Sequence, residues 1–206
     1  MTPAKARQHA QARDHRASVE AAIFEATEAF LADHPLRELT VEGVIAPTGL
    51  GRTAFYRYFP DLESVLLRRL AQIDQELNDA TDRWLDPDHD PEAGLVEAAQ
   101  ALATVYHRHA PLLRAFSEAA AAGADLEAAW AELVASFVAQ ATERIDALVG
   151  RGLVTLAYPG EVARALVGMS ERYLLDSLGR EPVISVEVAA TTLAQIWQRT
   201  LFCPPA

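Results

Sequence analysis

Apolar residues recur along most of the chain at spacings of three and four, the pattern of helices that bury one face. In the first run, Val19, Ile23, Ala26 and Phe30 keep this spacing until Pro35 interrupts it. The predicted helices cover approximately residues 18–33, 40–46, 51–59, 61–85, 91–109, 111–123, 125–150, 159–178 and 185–202. Because no segment alternates convincingly between apolar and polar residues, we predict an all-α fold of nine helices.

Composition places the chain among globular proteins of one to two domains. The 206 residues are 50% apolar and 23% charged, which allows a sizeable buried core. No apolar stretch approaches the roughly 18 residues that a membrane span requires, and the basic N-terminus has no apolar segment behind it. The single cysteine, Cys203, excludes an intrachain disulfide and a cysteine metal cluster. We therefore expect a cytoplasmic protein with no membrane partner.

The net charge of −11 is distributed unevenly. Residues 1–70 hold nine basic and nine acidic side chains, whereas residues 71–206 hold nine and twenty. Residues 1–16 carry four basic side chains and one acidic one, and residues 50–59 carry Arg52 and Arg57 with no acid. Such local positive charge on an acidic body favours contact with nucleic acid. Solvated surface is the alternative explanation for isolated arginines.

Residues 40–59 fit a helix-turn-helix, in which two short helices are joined by a turn that contains glycine and the second helix enters the DNA major groove. The second helix carries Arg52 and Arg57, and arginine pairs bidentately with guanine. Its threonine and tyrosine hydroxyls can reach phosphates. Packing into a core would explain Phe55 and Phe59 but not the arginines.

The same segment resembles the N-terminal signature of TetR-type transcriptional regulators. The resemblance rests on TVEGVIA at 40–46, GL at 49–50 and FYRYFPDLESVL at 55–66. Further segments are similar to the ethionamide-resistance repressor branch of that family: HAPLLRA at 109–115, MSER at 169–172 and IW at 196–197.

The resemblance implies an all-α homodimer in which each subunit has a DNA-binding head and a ligand-binding body. It divides this chain into a basic flexible arm at 1–17, a DNA-binding domain at 18–66 and a ligand-binding and dimerisation domain at 67–206. The implied partners are a palindromic double-stranded operator, a small apolar ligand and a second copy of the chain. Surplus apolar residues on the last two helices place the expected dimer contact there, namely Val162, Leu166, Met169, Tyr173, Val188, Ile196 and Leu201.

The expected DNA contacts lie at the helix-turn-helix. We predict base or groove contacts for Arg52, Thr53 and Arg57, and phosphate contacts for Thr40, Tyr56 and Tyr58, with Gly51 capping the second helix. Three positions depart from the family pattern, which usually has serine at Gly51, threonine at Ala54 and lysine at Leu62. Each change removes a cap or a phosphate contact. A helical ligand-binding protein with a weakened or vestigial DNA-binding head therefore remains the alternative.

Aromatic residues of the body lie on apolar faces of five predicted helices and converge on one interior. They form either a packed core or a cavity for an apolar ligand with a few polar groups. The residues predicted to bind such a ligand are Tyr106, Phe116, Trp130, Leu133, Phe137, Met169, Ser170, Tyr173 and Trp197.

No enzyme chemistry is predicted. The GLGRTA segment at 49–54 matches a dinucleotide fingerprint only on paper, because it follows a helix instead of a strand. The acidic segment at 86–97 has Pro91 where a calcium loop needs glycine. His107 and His109 are two residues apart on a helix, so they point to different faces. We therefore predict no catalytic residue, metal or cofactor.

Overall fold

The computed structural model describes residues 3–118, 124–179 and 184–203, with side chains from residue 11 onward. Within these ranges the chain forms nine α-helices and no strand, which confirms the all-α prediction. The helices are α1 (Pro3–Asp33), α2 (Val41–Ile45), α3 (Arg52–Tyr58), α4 (Leu62–Leu85), α5 (Pro91–Arg108), α6 (Ala110–Ser117), α7 (Ala124–Gly150), α8 (Pro159–Leu178) and α9 (Val186–Phe202). Two short 3₁₀ turns, Leu36–Glu38 and Ala46–Thr48, lie on either side of α2.

Among the described residues, side-chain caps fix the start of four helices, and at α4 Asp61 Oδ1 accepts a hydrogen bond from the Ser64 N–H at 2.7 Å. Thr40, Asp90 and Ser185 each accept a hydrogen bond from the backbone N–H three residues further on, at 3.1, 2.7 and 3.3 Å. These bonds satisfy backbone donors that have no partner within the helix. The predicted beginnings of α2, α5 and α9 are therefore confirmed.

Helix α1 is longer than the apolar pattern predicts. It begins at Pro3, not near residue 18, so the predicted start of the first helix is wrong. Across the predicted boundary, Arg16 Nε donates to Glu20 Oε1 at 2.7 Å. The added segment is rich in alanine, glutamine and arginine, which favour a helix without burying a face. The spacing of apolar residues therefore does not predict this segment of the helix.

The chain divides into two compact units, residues 1–70 and 71–206. The first unit holds the helix-turn-helix, whose two helices are kept in place by an apolar cluster. Within that cluster Phe24 and Phe59 meet edge to face, with ring centroids 5.7 Å apart. The buried members are Ile23, Phe24, Ala26, Val41, Val44, Ile45, Phe55, Phe59 and Val65.

In the second unit, helix α5 packs against α9 and helix α7 against α8. Its largest fully buried residues are aliphatic, apart from His109. The Nε2 atom of His109 lies 3.3 Å from a carboxylate oxygen of Glu76, so this buried ring has a polar partner. Among the described residues, no helix is both long enough and apolar enough to cross a membrane.

Candidate nucleic-acid interface and apolar cavity

Helix α3 exposes a polar face and buries an aromatic one. Arg52, Thr53, Tyr56 and Arg57 are all exposed, and their spacing places them on one side of the helix. Phe55 is completely buried in the apolar cluster on the opposite side. The cluster therefore holds the backbone of α3 while four hydrogen-bonding side chains face solvent. Helix α3 itself carries no carboxylate.

The turn before α3 depends on Gly49. Its φ of +70° lies in the left-handed region, which a residue with a side chain rarely adopts. Thr48 Oγ1 donates to the Ile45 carbonyl at 2.8 Å and accepts from the Leu50 N–H at 3.2 Å, which closes the preceding 3₁₀ turn. Gly51 occupies the N-cap of α3 and supplies no side-chain hydrogen bond. The first N–H groups of α3 are thus left for other acceptors, such as phosphate oxygens.

Arg52 has two partners within the protein. Its Nη1 atom forms an ion pair with the Glu42 carboxylate of α2, and its Nη2 atom donates to the Tyr56 hydroxyl at 3.3 Å. The Tyr56 hydroxyl and then the Glu42 carboxylate raise the pKa of Arg52 above its ordinary value, so the guanidinium stays charged. Sequence reasoning missed Glu42, because this contact joins two helices across ten residues.

The remaining predicted DNA contacts differ in their surroundings. Thr53 and Arg57 are exposed and have no recorded ion pair or hydrogen bond within the described part of the chain. Tyr58 is half-buried against the apolar cluster, and the Arg16 guanidinium lies 5.9 Å from its ring centroid. Thr40 uses its hydroxyl as the cap of α2. Because the hydroxyl oxygen accepts that hydrogen bond, its O–H can still donate to a phosphate, so the predicted contact by Thr40 is compatible with the cap.

The second unit surrounds a cavity of about 100 Å³. Five helices line it, and each contributes residues at helical spacing. The lining residues are Leu77, Thr81, Trp84 and Leu85 from α4, Leu95, Ala98, Ala99, Leu102 and Tyr106 from α5, Leu133, Val134, Phe137, Gln140 and Ala141 from α7, Val167, Ser170, Glu171 and Leu174 from α8, and Leu193, Ala194 and Trp197 from α9.

Five of the nine predicted ligand-binding residues line this cavity, namely Tyr106, Leu133, Phe137, Ser170 and Trp197. The other four lie elsewhere in the second unit. Phe116 is buried and stacks on Trp130, with ring centroids 6.4 Å apart, and Met169 and Tyr173 are half-buried on α8 outside the lining. Contact with a ligand stays a prediction for all nine.

Several polar groups of the lining are already paired. The Trp197 indole donates to Ser170 Oγ at 2.9 Å, and that hydroxyl donates to the Leu166 carbonyl at 2.6 Å. The Gln140 amide donates to Asn78 Oδ1 at 3.0 Å. The buried indole N–H of Trp84 has no acceptor among the described residues, although the Trp84 ring meets Trp197 edge to face. A buried donor without an acceptor is unfavourable unless a ligand or water supplies one.

Glu171 is the charged residue among the lining residues that sequence reasoning missed. Burial raises the pKa of this carboxyl group, which opposes ionisation, and a hydrogen bond from the Trp130 indole partly offsets that effect. Burial, and then the charge of Glu171, raise the pKa of the Tyr106 hydroxyl, so this tyrosine stays neutral. The available signal was spacing, because Val167, Ser170, Glu171 and Leu174 recur on one face of α8.

Known transcriptional regulators are similar to this chain in sequence. The family described as "Transcriptional regulator EthR, C-terminal domain" matches residues 95–203, just over half of the chain. The HTH-type transcriptional regulator EthR of Mycobacterium tuberculosis is 28% identical over 187 residues, which cover 89% of this chain and 87% of that protein. The EthR of Mycolicibacterium smegmatis is 26% identical over 186 residues, covering 89% and 86%.

Solved structures share the fold. A bacterial regulatory protein of the TetR family from Rhodococcus RHA1 superposes with a TM-score of 0.73 at 17% identity, covering 91% of this chain and 98% of that one. Salmonella enterica GusR superposes with a TM-score of 0.69 at 17% identity, covering 89% and 95%.

Proposed function

The chain belongs to the EthR family of TetR-type transcriptional regulators, and from this membership we propose that it is a dimeric repressor that a small apolar ligand releases from a palindromic operator. The observation that carries the proposal is the exposed face of α3, where Arg52, Thr53, Tyr56 and Arg57 project from a helix without a carboxylate. On this proposal, residues 18–66 act as the DNA-binding domain and residues 67–206 as the ligand-binding and dimerisation domain.

Helix α3 is proposed to enter the major groove. Arg52 lies in its first turn, where the N-terminal residues of a recognition helix reach base edges, and Thr53 lies beside it. Arg57, in the last turn, is assigned to groove or phosphate, and Tyr56 to phosphate. A vestigial head is not favoured, because the relatives are transcriptional regulators.

The cavity is proposed as the ligand site. Its volume of about 100 Å³ is smaller than the roughly 150 Å³ of an apolar cavity that admits benzene, so an elongated ligand must displace the surrounding helices. Helix α4 provides Val65 to the core of the first unit and Leu77 and Trp84 to the cavity. A ligand that requires a shifted α4 binds the conformation with α4 shifted more tightly than the conformation with α4 in place. An effector requires such a difference in affinity between two conformations.

DNA binding is tested with duplexes from the chromosomal region around the gene of this protein. We expect specific binding that weakens steeply as salt rises, because phosphate contacts release counterions. Arg52→Ala is expected to cost about 1–3 kcal/mol on the specific site and to relax base preference at one position per half-site. Arg57→Ala is expected to weaken all duplexes similarly if Arg57 contacts phosphate. Glu42→Gln frees Arg52 and removes a negative charge, so it is expected to strengthen duplex binding.

Glu38→Gln is the matched control for Glu42→Gln, since it removes an exposed carboxylate from the same unit without touching Arg52. Binding that is absent at low salt, or equal effects of both arginine substitutions with unchanged base preference, would contradict the assignment. The ligand part is tested by adding apolar compounds that raise the melting temperature. Such compounds are expected to release the specific duplex, and stabilisation without release would contradict the proposed effector role.

A second copy of the chain is proposed to cover α9. Val188 and Ile196 are 53% and 38% exposed although both are apolar, and their spacing of eight residues places them on one face. Leu166 and Leu201, which sequence reasoning also assigned to the dimer contact, are buried within the subunit. Pairing α8 and α9 with their symmetry mates would bury the exposed face in a four-helix bundle.

Ile196→Glu is expected to give monomers in sedimentation experiments, because it places a charge in the centre of the proposed contact. Val96→Glu is the matched control, since Val96 is 46% exposed on α5 and lies outside the proposed contact. A dimer that survives Ile196→Glu but not Val96→Glu would place the interface elsewhere.

A further inference from the structure

One carboxylate belongs to the otherwise uncharged lining of the cavity. Glu171 lies on α8, is half-buried, and lines the cavity together with Ser170 and Leu174 of the same helix. The other described lining residues are aliphatic, aromatic or neutral polar. A carboxylate in such surroundings loses solvation, so a protein retains its charge there only with a compensating group.

No cation of the described residues is recorded in an ion pair with Glu171. The charge of the adjacent Arg172 lowers the pKa of Glu171 less than burial raises it, and its guanidinium is engaged by Asp176, with Nε 2.8 Å from Oδ2. Arg164, on the preceding part of the same helix, pairs with Glu161. The recorded hydrogen-bond partner of Glu171 is the neutral indole of Trp130. The lining thus contains an acceptor for positive charge, and none of the described lining residues supplies a cation to pair with it.

The surroundings of Glu171 also suit a cation. Trp130 donates a hydrogen bond to Glu171, and the charge of Glu171 raises the pKa of the Tyr106 hydroxyl. Two aromatic side chains therefore adjoin the carboxylate. The hydroxyl oxygen of Tyr106, which lines the cavity, can accept a second hydrogen bond from a protonated amine. Away from Glu171, the alanines and leucines of α5 and α9 offer an apolar surface.

We propose that the effector is an amphipathic amine, whose protonated nitrogen pairs with Glu171 and whose apolar part lies among the aliphatic side chains of the cavity. This inference rests on the proposed function, since it names the chemical class of ligand for the same cavity. Glu171 is then the residue that determines specificity. It selects against an anion of the same shape by charge repulsion, and against a neutral analogue because that analogue leaves the carboxylate unpaired.

The test compares three compounds with one skeleton: phenylbutylamine, phenylbutanol and phenylbutanoate. Binding to the purified full-length protein is measured by calorimetry and by the shift in melting temperature. We expect the wild type to bind the amine at least about tenfold more tightly than the alcohol, and the acid most weakly. In Glu171→Gln we expect the affinities for the amine and the alcohol to differ by no more than about twofold, while the affinity for the alcohol stays that of the wild type.

Glu161→Gln is the matched control, because it neutralises an exposed carboxylate of the same helix outside the cavity. It is expected to keep the wild-type order of affinities. Equal binding of amine and alcohol by the wild type, or a preference for the amine that survives Glu171→Gln, would overturn this inference and leave the proposed function intact. If none of a wider set of apolar compounds binds, the ligand-responsive function fails and the inference fails with it. Should Glu171→Gln not fold, the wild-type order of amine, alcohol and acid decides.

Discussion

Replacing Phe55 by alanine is expected to destabilise the first unit by about 3–5 kcal/mol, the usual cost of removing a buried aromatic ring. Phe55 is completely buried and lies 6.2 Å from Phe59 between ring centroids. Because the apolar cluster holds α3 against α1 and α2, the loss is expected to unfold the helix-turn-helix and abolish specific DNA binding. In a unit of this size such a loss is a large part of the total free energy of unfolding.

The measurement must separate the two units. Trp84, Trp130 and Trp197 all lie in the second unit, so tryptophan fluorescence follows that unit alone. Hydrogen exchange of residues 52–58 follows the first unit. We expect Phe55→Ala to accelerate exchange in α3 while the fluorescence transition is largely retained.

Tyr56→Ala is the control from the neighbouring position. Tyr56 is 45% exposed, so its removal is expected to cost less than about 1 kcal/mol and to leave α3 protected from exchange. DNA binding is nevertheless expected to weaken, since the hydroxyl is a proposed phosphate contact. Slow exchange in α3 of Phe55→Ala would show that the cluster does not hold this helix.

Gly94→Ala is expected to destabilise the second unit by about 1–3 kcal/mol through overpacking. A Cβ at Gly94 would lie 2.7 Å from the carbonyl oxygen of Arg83 and 3.0 Å from Cδ2 of His89. Since the first contact is with backbone at the end of α4, the clash can be relieved only by moving α5. Leu95 and Ala98 line the cavity from α5, so ligand binding is expected to weaken as well.

Gly168→Ala gives the opposite expectation at a second helical glycine. A Cβ there meets nothing within 4 Å, so alanine should stabilise α8 by about 0.5–1 kcal/mol through its higher helix propensity. Denaturant unfolding followed by tryptophan fluorescence measures both variants. Stabilisation by Gly94→Ala would mean that α5 is free to move away from the end of α4.

The starts of α2, α5 and α9 were predictable because they depend on local chemistry. Thr40, Asp90 and Ser185 act on backbone groups three residues away, a range that the sequence displays directly. The extension of α1 to Pro3 was not predicted, because it depends on propensity without an apolar face.

The cavity was harder to predict than the helices around it. Aromatic residues were the natural candidates, but open space arises where side chains are small, and Ala98, Ala99, Ala141 and Ala194 line it. The role of Glu171 follows from which face of α8 points inward, which depends on packing between helices. The pair of Glu42 and Arg52 likewise depends on the angle between α2 and α3.

That pair changes how the search for a site along DNA would proceed. On the proposed assignment, Arg52 exchanges the Glu42 carboxylate for a base. Guanine offers two acceptors to an arginine, whereas the other bases offer a poorer match, so the exchange is favourable only at guanine. At every other position Arg52 remains with Glu42, and the protein slides on phosphate contacts alone. Glu42 would thus compete with DNA bases for Arg52, and this competition would keep non-specific complexes short-lived.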